Sequence, residues 1–203
     1  MPEVAPPSVP ALLAGRRRIL VTGGAGFIGG AVVRRLLAES EALVFNLDKC
    51  GYASDLTSIE QVLEELGDRA TTTEGECRHQ LLKVDLADAA ATAAAVRQAD
   101  PDLVMHLAAE SHVDRSIEGP AAYGSTSSPD FVYIDSNVIG TLHLLQAVRA
   151  HWEQIPTERQ AGFRFHHIST DEVFGSLGET GRFSETTPYD PRSPYSASKA
   201  ASD

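Results

Sequence analysis

The segment HHISTDEVFGSLG, residues 166–178, sets Thr170, Asp171 and Glu172 side by side at the end of an apolar, strand-like run. Two adjacent carboxyls repel when both are ionised, and ionising one makes the other harder to ionise. Such a pair suits a division of labour in which one member takes a proton and the other gives one. Near the end of the chain, PYSASKAASD carries Tyr195 and Lys199 four residues apart, on one face if the segment is helical. An ammonium beside a phenol stabilises the phenolate, which lets a tyrosine act as a base near neutral pH. Earlier, TGGAGFIGG holds Gly24, Gly26 and Gly29 in G-x-G-x-x-G spacing, and Gly23, Gly26 and Gly29 at three-residue intervals. Glycines there permit a tight turn and a close backbone approach to a pyrophosphate, which the open amides and dipole of a following helix would hold. Asp48 closes the next apolar run about twenty residues on, where a carboxylate binds ribose hydroxyls and repels a 2′-phosphate. The cofactor this combination specifies is NAD, with Lys49 beside the aspartate.

These residues need a frame. RRRILVTGG reads as strand and turn, FIGGAVVRRLLAES as helix, and ALVFNLD as a second strand. DLTSIEQVLEELGD is a helix capped by Asp55 or Thr57 and ended by Gly67; HQLLKVDLAD is a third strand. AAATAAAVRQAD is an alanine-rich helix closed by Pro101, PDLVMHLAAE a fourth strand, DFVYIDSNVIGTLHLLQAVRAHW one long helix, and GFRFHHIST a fifth strand. Apolar strands alternating with helices specify an α/β fold, a doubly wound parallel sheet of Rossmann type covered on both faces. The expected strand order is 3-2-1-4-5, with ligand at the carboxyl ends where that order reverses. Asp85 and Leu86 end the third strand and fit either an adenine contact or a cap for the helix over 87–98. YGSTSSPD (123–130) and GSLGETGRFSETTPYDPRSP (175–194) are the two long polar connections. His106 and His167 sit in strands as hydrogen-bonded core residues, and His166-His167 lacks metal-ligand spacing, so no metal is expected.

Bulk properties narrow the partners. A net charge of −11 argues against nucleic acid or an anionic membrane surface. No apolar run approaches the ~20 residues that span a bilayer. Cys50 and Cys77 show neither ligand spacing nor a disulfide framework, which fits a reducing, cytoplasmic setting. Residues 1–15, MPEVAPPSVPALLAG, lack a basic start and an apolar core segment, and are expected to be a disordered leader. That leaves 16–203 as one NAD-binding domain.

A dinucleotide fingerprint followed by Tyr-x-x-x-Lys resembles the short-chain dehydrogenase/reductase superfamily, in which Thr170, Tyr195 and Lys199 match the set that oxidises an alcohol beside the nicotinamide. LVTGGAGFIG, HLAAESHVDRSI, FRFHHISTDEVFG and SPYSASKAASD are together similar to the dTDP-glucose 4,6-dehydratases, an extended branch, from about residue 17 to the last residue. The resemblance implies a lyase that converts dTDP-glucose to the 4-keto-6-deoxy sugar and water with a tightly held NAD. Tyr195 would take the C4 hydroxyl proton, Thr170 hydrogen-bond the C4 oxygen, Glu172 remove the C5 proton and Asp171 protonate the leaving C6 hydroxyl. It places Phe27, Ile28, Asp48, Asp85, Leu86, Leu107, Ala108, Ala109, Glu110 and Ser111 along the cofactor, with Ser111 also touching the sugar nucleotide. Ser136 stands where the family usually has threonine, and Asn137 is read as a structural residue at a helix start. It also implies a small-molecule nucleotide-sugar substrate and a homodimer through the 131–152 helix. The family continues well beyond the Tyr195 helix, so a C-terminal substrate domain is expected to be missing from this chain. A nucleotide-sugar 4-epimerase needs Thr170, Tyr195 and Lys199 but not the acid pair, and is the rival enzyme. A non-catalytic NAD-binding module is the rival of another class.

Overall fold

A computed structural model of the chain describes residues 8–118 and 131–203; the YGSTSSPD connection lies outside the described residues. Five strands form one parallel sheet: β1 (Arg18–Thr22), β2 (Leu43–Asp48), β3 (His79–Lys83), β4 (Leu103–His106) and β5 (Arg164–His167). Their order is β3-β2-β1-β4-β5, as the alternating pattern predicts. The order reverses beside β1, which opens a crevice at the carboxyl ends of β1 and β4.

Successive side chains of a strand point to opposite faces, so a strand covered on both sides is apolar throughout. Leu20 of β1 joins Phe45, Val104, Leu144 and Val148 in one core. Its neighbours Ile19 and Val21 join Val33, Leu37, Val44 and Ile59 in the other. The first core is covered by α4 (Ala89–Ala99) and α6 (Gly140–Trp152), the second by α2 (Phe27–Glu39) and α3 (Thr57–Leu66). Asp88 caps α4 by accepting from the Ala91 amide at 2.9 Å. Leu56 holds the cap position of α3 and offers no side-chain acceptor, while Asp55 just before it accepts from the Thr57 amide at 2.9 Å; Gly67 closes the helix at φ +55°. Among the described residues no helix is long and apolar enough to cross a membrane.

Two segments differ from the expectation, and a third, the long polar connection, agrees with it. Within the described part of the expected leader, α1 (Val9–Leu13) is helical, and Val9 and Leu13 pack into the α2 side of the core. Two apolar side chains four residues apart bury one face of a single turn, which the Pro- and Ala-rich composition conceals. The long helix over 131–152 is not regular: Ile134–Ile139 is a π-helical turn before α6 begins. Its wider winding admits the buried Asn137 side chain among the strand-end loops. The 175–193 connection carries no helix or strand, and Phe174 holds it by ring contacts with Phe183 at 5.3 Å and Tyr189 at 5.4 Å.

Arg78 is 1% exposed, and its guanidinium donates to the carbonyls of Leu37, Ser40, Ala42 and Arg69. It therefore closes the C-terminal end of α2, whose last carbonyls have no intrahelical partner. Replacing Arg78 with leucine should cost about 2–4 kcal/mol, because those buried carbonyls would be left without donors. Urea denaturation checks this, with the exposed Arg69→Leu expected within about 0.5 kcal/mol of the parent.

Candidate active site

The crevice encloses about 500 Å³ and runs from the N-terminus of α2 to the helix bearing Tyr195. Its floor is backbone. Gly23 has φ +72°, and a Cβ there would lie 2.7 Å from the Ala108 Cα. A Cβ on Gly24 would collide with Asn46 Oδ1 at 2.2 Å, and one on Gly29 with the Gly23 carbonyl at 2.1 Å. Gly26 is different: its nearest neighbour would be Gly23 O at 3.3 Å, and it faces the crevice. Three of the glycines thus let the turn, β2 and α2 approach one another, and the fourth leaves room for a ligand. Phe27 and Ile28, 95% and 64% exposed, line the crevice, and their first-turn amides have no intrahelical acceptor.

Asp48 is buried at the end of β2. One carboxylate oxygen accepts from the Ala25 amide at 3.0 Å, the other from the Cys50 amide at 2.7 Å and Ser54 Oγ at 3.2 Å. It braces the glycine turn as well as lining the crevice. Lys49 and Glu110 line the same space but pair with each other at 2.6 Å, with Ser136 Oγ 3.4 Å from the ammonium. Burial pulls the Lys49 pKa down, but Glu110, Asp85 and Asp48 outweigh it and hold the ammonium above its ordinary value. Asp85 accepts from the Ala87 amide at 2.9 Å and lines the crevice with Leu86, while the helix cap falls to Asp88. Leu107, Ala108, Ala109, Glu110 and Ser111 form the opposite wall.

That wall is held by a buried polar chain. Thr141 Oγ1 donates its proton to the Asn137 carbonyl at 2.6 Å, so it can only accept from His106 Nε2 at 2.9 Å. Nε2 therefore carries the ring proton, and Thr22 donates to Nδ1 at 2.6 Å while accepting from the Ala108 amide at 3.1 Å. Asn137 bonds the Glu110 amide at 2.8 Å, the Glu110 carbonyl at 3.0 Å and Ser198 Oγ at 2.9 Å. Ser198 passes its own proton to the Tyr195 carbonyl at 2.7 Å.

The helix α8 (Pro194–Ser202) starts with Ser193 and Ser196 in a reciprocal cap. Tyr195 is half-buried and lines the crevice with Lys199, which is 4% exposed. The Lys199 ammonium donates to the Ile168 carbonyl at 2.8 Å; burial lowers its pKa and Asp203 partly restores it. The phenol departs from the expectation that Lys199 lowers its pKa. Burial raises the Tyr195 pKa, the carboxylates of Glu172, Asp171 and Asp203 raise it further, and the Thr170 hydroxyl alone opposes them. Thr170 caps the short 3₁₀ turn Asp171–Phe174 by accepting from the Glu172 amide, and buried Val173 anchors that turn. Thr170, Asp171 and Glu172 lie outside the crevice wall; the turn that carries the two acids packs against α8, and all three residues act on the Tyr195 phenol. The wall also includes Gly51, Tyr52, Ser54, His112, Ile168 and Ser169, to which the sequence reading gave no site role. They follow directly on recognised strand ends, and that adjacency was the available signal.

The sheet order, glycine turn and Tyr-x-x-x-Lys helix define a nucleotide-binding domain of the short-chain dehydrogenase/reductase type. The chain belongs to the GDP-mannose 4,6 dehydratase family, whose model matches residues 20–203. It is 50% identical over 188 residues to the dTDP-glucose 4,6-dehydratase of Neisseria meningitidis serogroup B, covering 92% of this chain and 47% of that one. Among solved structures, dTDP-glucose 4,6-dehydratase of Bacillus anthracis in complex with NAD matches with TM-score 0.65 and 32% identity, covering 92% of this chain and 48% of that one. Thermus thermophilus UDP-glucose 4-epimerase, also complexed with NAD, matches with TM-score 0.64 and 30% identity, over 91% of this chain and 48% of that one. The chain spans about half the length of the curated relatives it matches.

Burial, then His167 and Lys199, push the His106 pKa from 6.5 down to about 3. The unfolded chain therefore takes up a proton that the native state refuses. This contribution to stability is complete above pH 6.5 and is lost as the pH falls towards 3. His106→Gln should remove about one proton's worth of slope, ~1.4 kcal/mol per pH unit, between about pH 6 and 4. Urea titrations across that range measure it; an unchanged slope would show that His106 titrates normally.

Proposed function

We propose that this chain is the NAD-binding half of a dTDP-glucose 4,6-dehydratase, a hydro-lyase whose remaining half completes the nucleotide-sugar site. What supports the reading is one conjunction: the short turn that carries Asp171 and Glu172 packs against α8, their charges and the Thr170 hydroxyl act on the Tyr195 phenol, and that phenol lines a crevice that begins at Gly26 and the first turn of α2. An epimerase has use for the phenol and the threonine but none for two further acids there.

The residues fit the dinucleotide. Gly26 and the amides of Phe27 and Ile28 offer a pyrophosphate site, and Asp48 keeps lone pairs for ribose hydroxyls beside its three internal donors. The Lys49–Glu110 pair closes the side of the crevice near Ser136. Bound NAD supplies a two-electron acceptor that gives back what it takes, so the overall conversion to 4-keto-6-deoxy sugar and water is redox-neutral. Tyr195 takes the C4 hydroxyl proton while Thr170 holds the C4 oxygen. Once C4 is a ketone the C5–H bond is acidified, and Glu172 removes that proton. Asp171 gives a proton to the C6 hydroxyl, which leaves as water; when hydride returns to C6, Glu172 gives its proton back to C5, and the proton that Tyr195 took replaces the one that Asp171 lost. Lys199, fixed on the Ile168 carbonyl, holds a positive charge beside the phenol's helix turn. A homodimer is supported by apolar side chains left exposed along α6 and the turn before it: Ile134, Leu142, Leu145 and Trp152. Two free cysteines support a cytoplasmic setting.

Two measurements test the reading. In this chain, Gly29→Ala should weaken NAD binding more than tenfold by calorimetry, since the added methyl displaces the turn beneath the pyrophosphate. In the protein extended by its remaining half, Asp171→Asn and Glu172→Gln should each lower kcat by about 10²–10⁴ while NAD stays bound. Unchanged turnover of dTDP-glucose in both acid variants would remove their assigned roles.

A further inference from the structure

Asp203 has no part in the roles above, yet its carboxylate gathers three segments. His167 Nε2 lies 3.0 Å from Oδ1; Ser169 Oγ donates to Oδ2 at 2.5 Å and Tyr189 OH to the same oxygen at 3.2 Å. An ionised carboxylate only accepts, so His167 carries its proton on Nε2, and both hydroxyl protons are committed. The Asp203 side chain keeps 11% of its exposure. Between His167 and Ser169, the Ile168 carbonyl accepts from Lys199. Three consecutive residues at the tip of β5 are thus tied to the last turns of α8, two through Asp203 and one through Lys199. Thr170, Asp171 and Glu172 follow immediately. Their register against Tyr195, one turn back along the same helix from Lys199, depends on these ties.

We propose that Asp203 is a positioning residue for the chemistry at Tyr195: its carboxylate locks the strand tip that carries Thr170, Asp171 and Glu172 onto the helix that carries the phenol. The inference rests on the dehydratase reading for its catalytic consequence, but the clamp itself does not. The charged and titratable groups around it agree with the geometry. Asp203 raises the pKa of Lys199, Tyr189 and Tyr195, while Glu172 and Asp171 act on Tyr195 from the 3₁₀ turn.

The test is a ¹³C-tyrosine NMR titration of the 203-residue chain, with the Tyr195 and Tyr189 signals assigned by Tyr195→Phe and Tyr189→Phe. Asp203→Asn should move the Tyr195 midpoint down by about 0.5–1 pH unit, since a negative charge is removed beside the phenolate, and should move Tyr189 down with it. Asp203→Glu should restore most of both shifts. In the extended protein, Asp203→Asn should lower kcat at least tenfold with KM within about threefold, and Asp203→Glu should recover part of the loss. Tyr195 and Tyr189 midpoints identical in Asp203→Asn and the parent would overturn the clamp. Normal kcat with shifted midpoints would overturn its catalytic consequence. Absence of dTDP-glucose turnover in the parent, with the midpoints still shifted, would count against the dehydratase reading and leave the clamp standing. Should Asp203→Asn melt the chain, Ser169→Ala keeps the carboxylate and removes one tie; it should still lower kcat at near-constant KM, and parental kinetics there would overturn the proposal.

Discussion

A row of hydrogen bonds with each donor assigned runs through the middle of this domain, from Thr22 through His106, Thr141 and Asn137 to Ser198. It joins the end of β1, the end of β4, the π-helical turn and α8. Each hydroxyl in it has one proton and each is committed, so the row has a direction and His106 has one permitted tautomer. A second proton on the imidazole would set a donor against the Thr22 hydroxyl, which would then have to turn away. The crevice wall hangs from this row at two points, Ala108 from Thr22 and Glu110 from Asn137. The cofactor side and the phenol side are therefore one unit, although they come from opposite ends of the chain.

The π-helical turn follows from the same constraint. In a regular helix the residues flanking Asn137 would present it to the neighbouring turn. One wider turn carries its amide to the Glu110 backbone, where it satisfies a donor and an acceptor as a paired strand would. The wider winding is not free, and the buried amide–backbone bonds offset it. Periodicity predicts only that the segment is helical, because the departure is set by a partner 27 residues away.

That distinction separates what was legible in the sequence from what was not. The glycine turn was legible because residue type and spacing alone decide which positions can lose a Cβ. The sheet order was legible because apolar strands alternating with helices leave few right-handed arrangements. Thr170, Asp171, Glu172, Tyr195 and Lys199 were legible as types, and the turn that carries the two acids packs against α8 because the tip of β5 is tied to that helix. Arg78 and Asp203 were not: nothing local marks an arginine that will close a helix 38 residues earlier, or a carboxylate whose partners lie 14 to 36 residues away. Tertiary folding alone brings such groups to their partners. Val9 and Leu13 were hidden for a different reason, since two inward side chains in a Pro- and Ala-rich stretch barely change its composition.

The phenol is the place where the sequence reasoning and the geometry diverge, and the divergence bears on the order of events. The Lys199 ammonium gives one of its three donors to the Ile168 carbonyl, while Asp171, Glu172 and Asp203 all oppose a charge on Tyr195. Asp171 and Glu172 are exposed, so water screens part of that repulsion, but its sign is clear. A phenolate beside two ionised acids is the least favourable arrangement of the three groups. The dehydratase reading requires one acid to carry a proton for the leaving hydroxyl, and that proton would also reduce the repulsion on the phenolate. On that reading, a Tyr195 that has taken a proton from the sugar no longer carries a charge to oppose the acid's giving its own proton away. On the dehydratase reading, oxidation at C4 thus prepares the pair electrostatically for elimination at C5 and C6, as well as acidifying the C5–H bond. An isolated tyrosine and lysine could carry out the first step; the adjacent carboxylates make the second step follow from it.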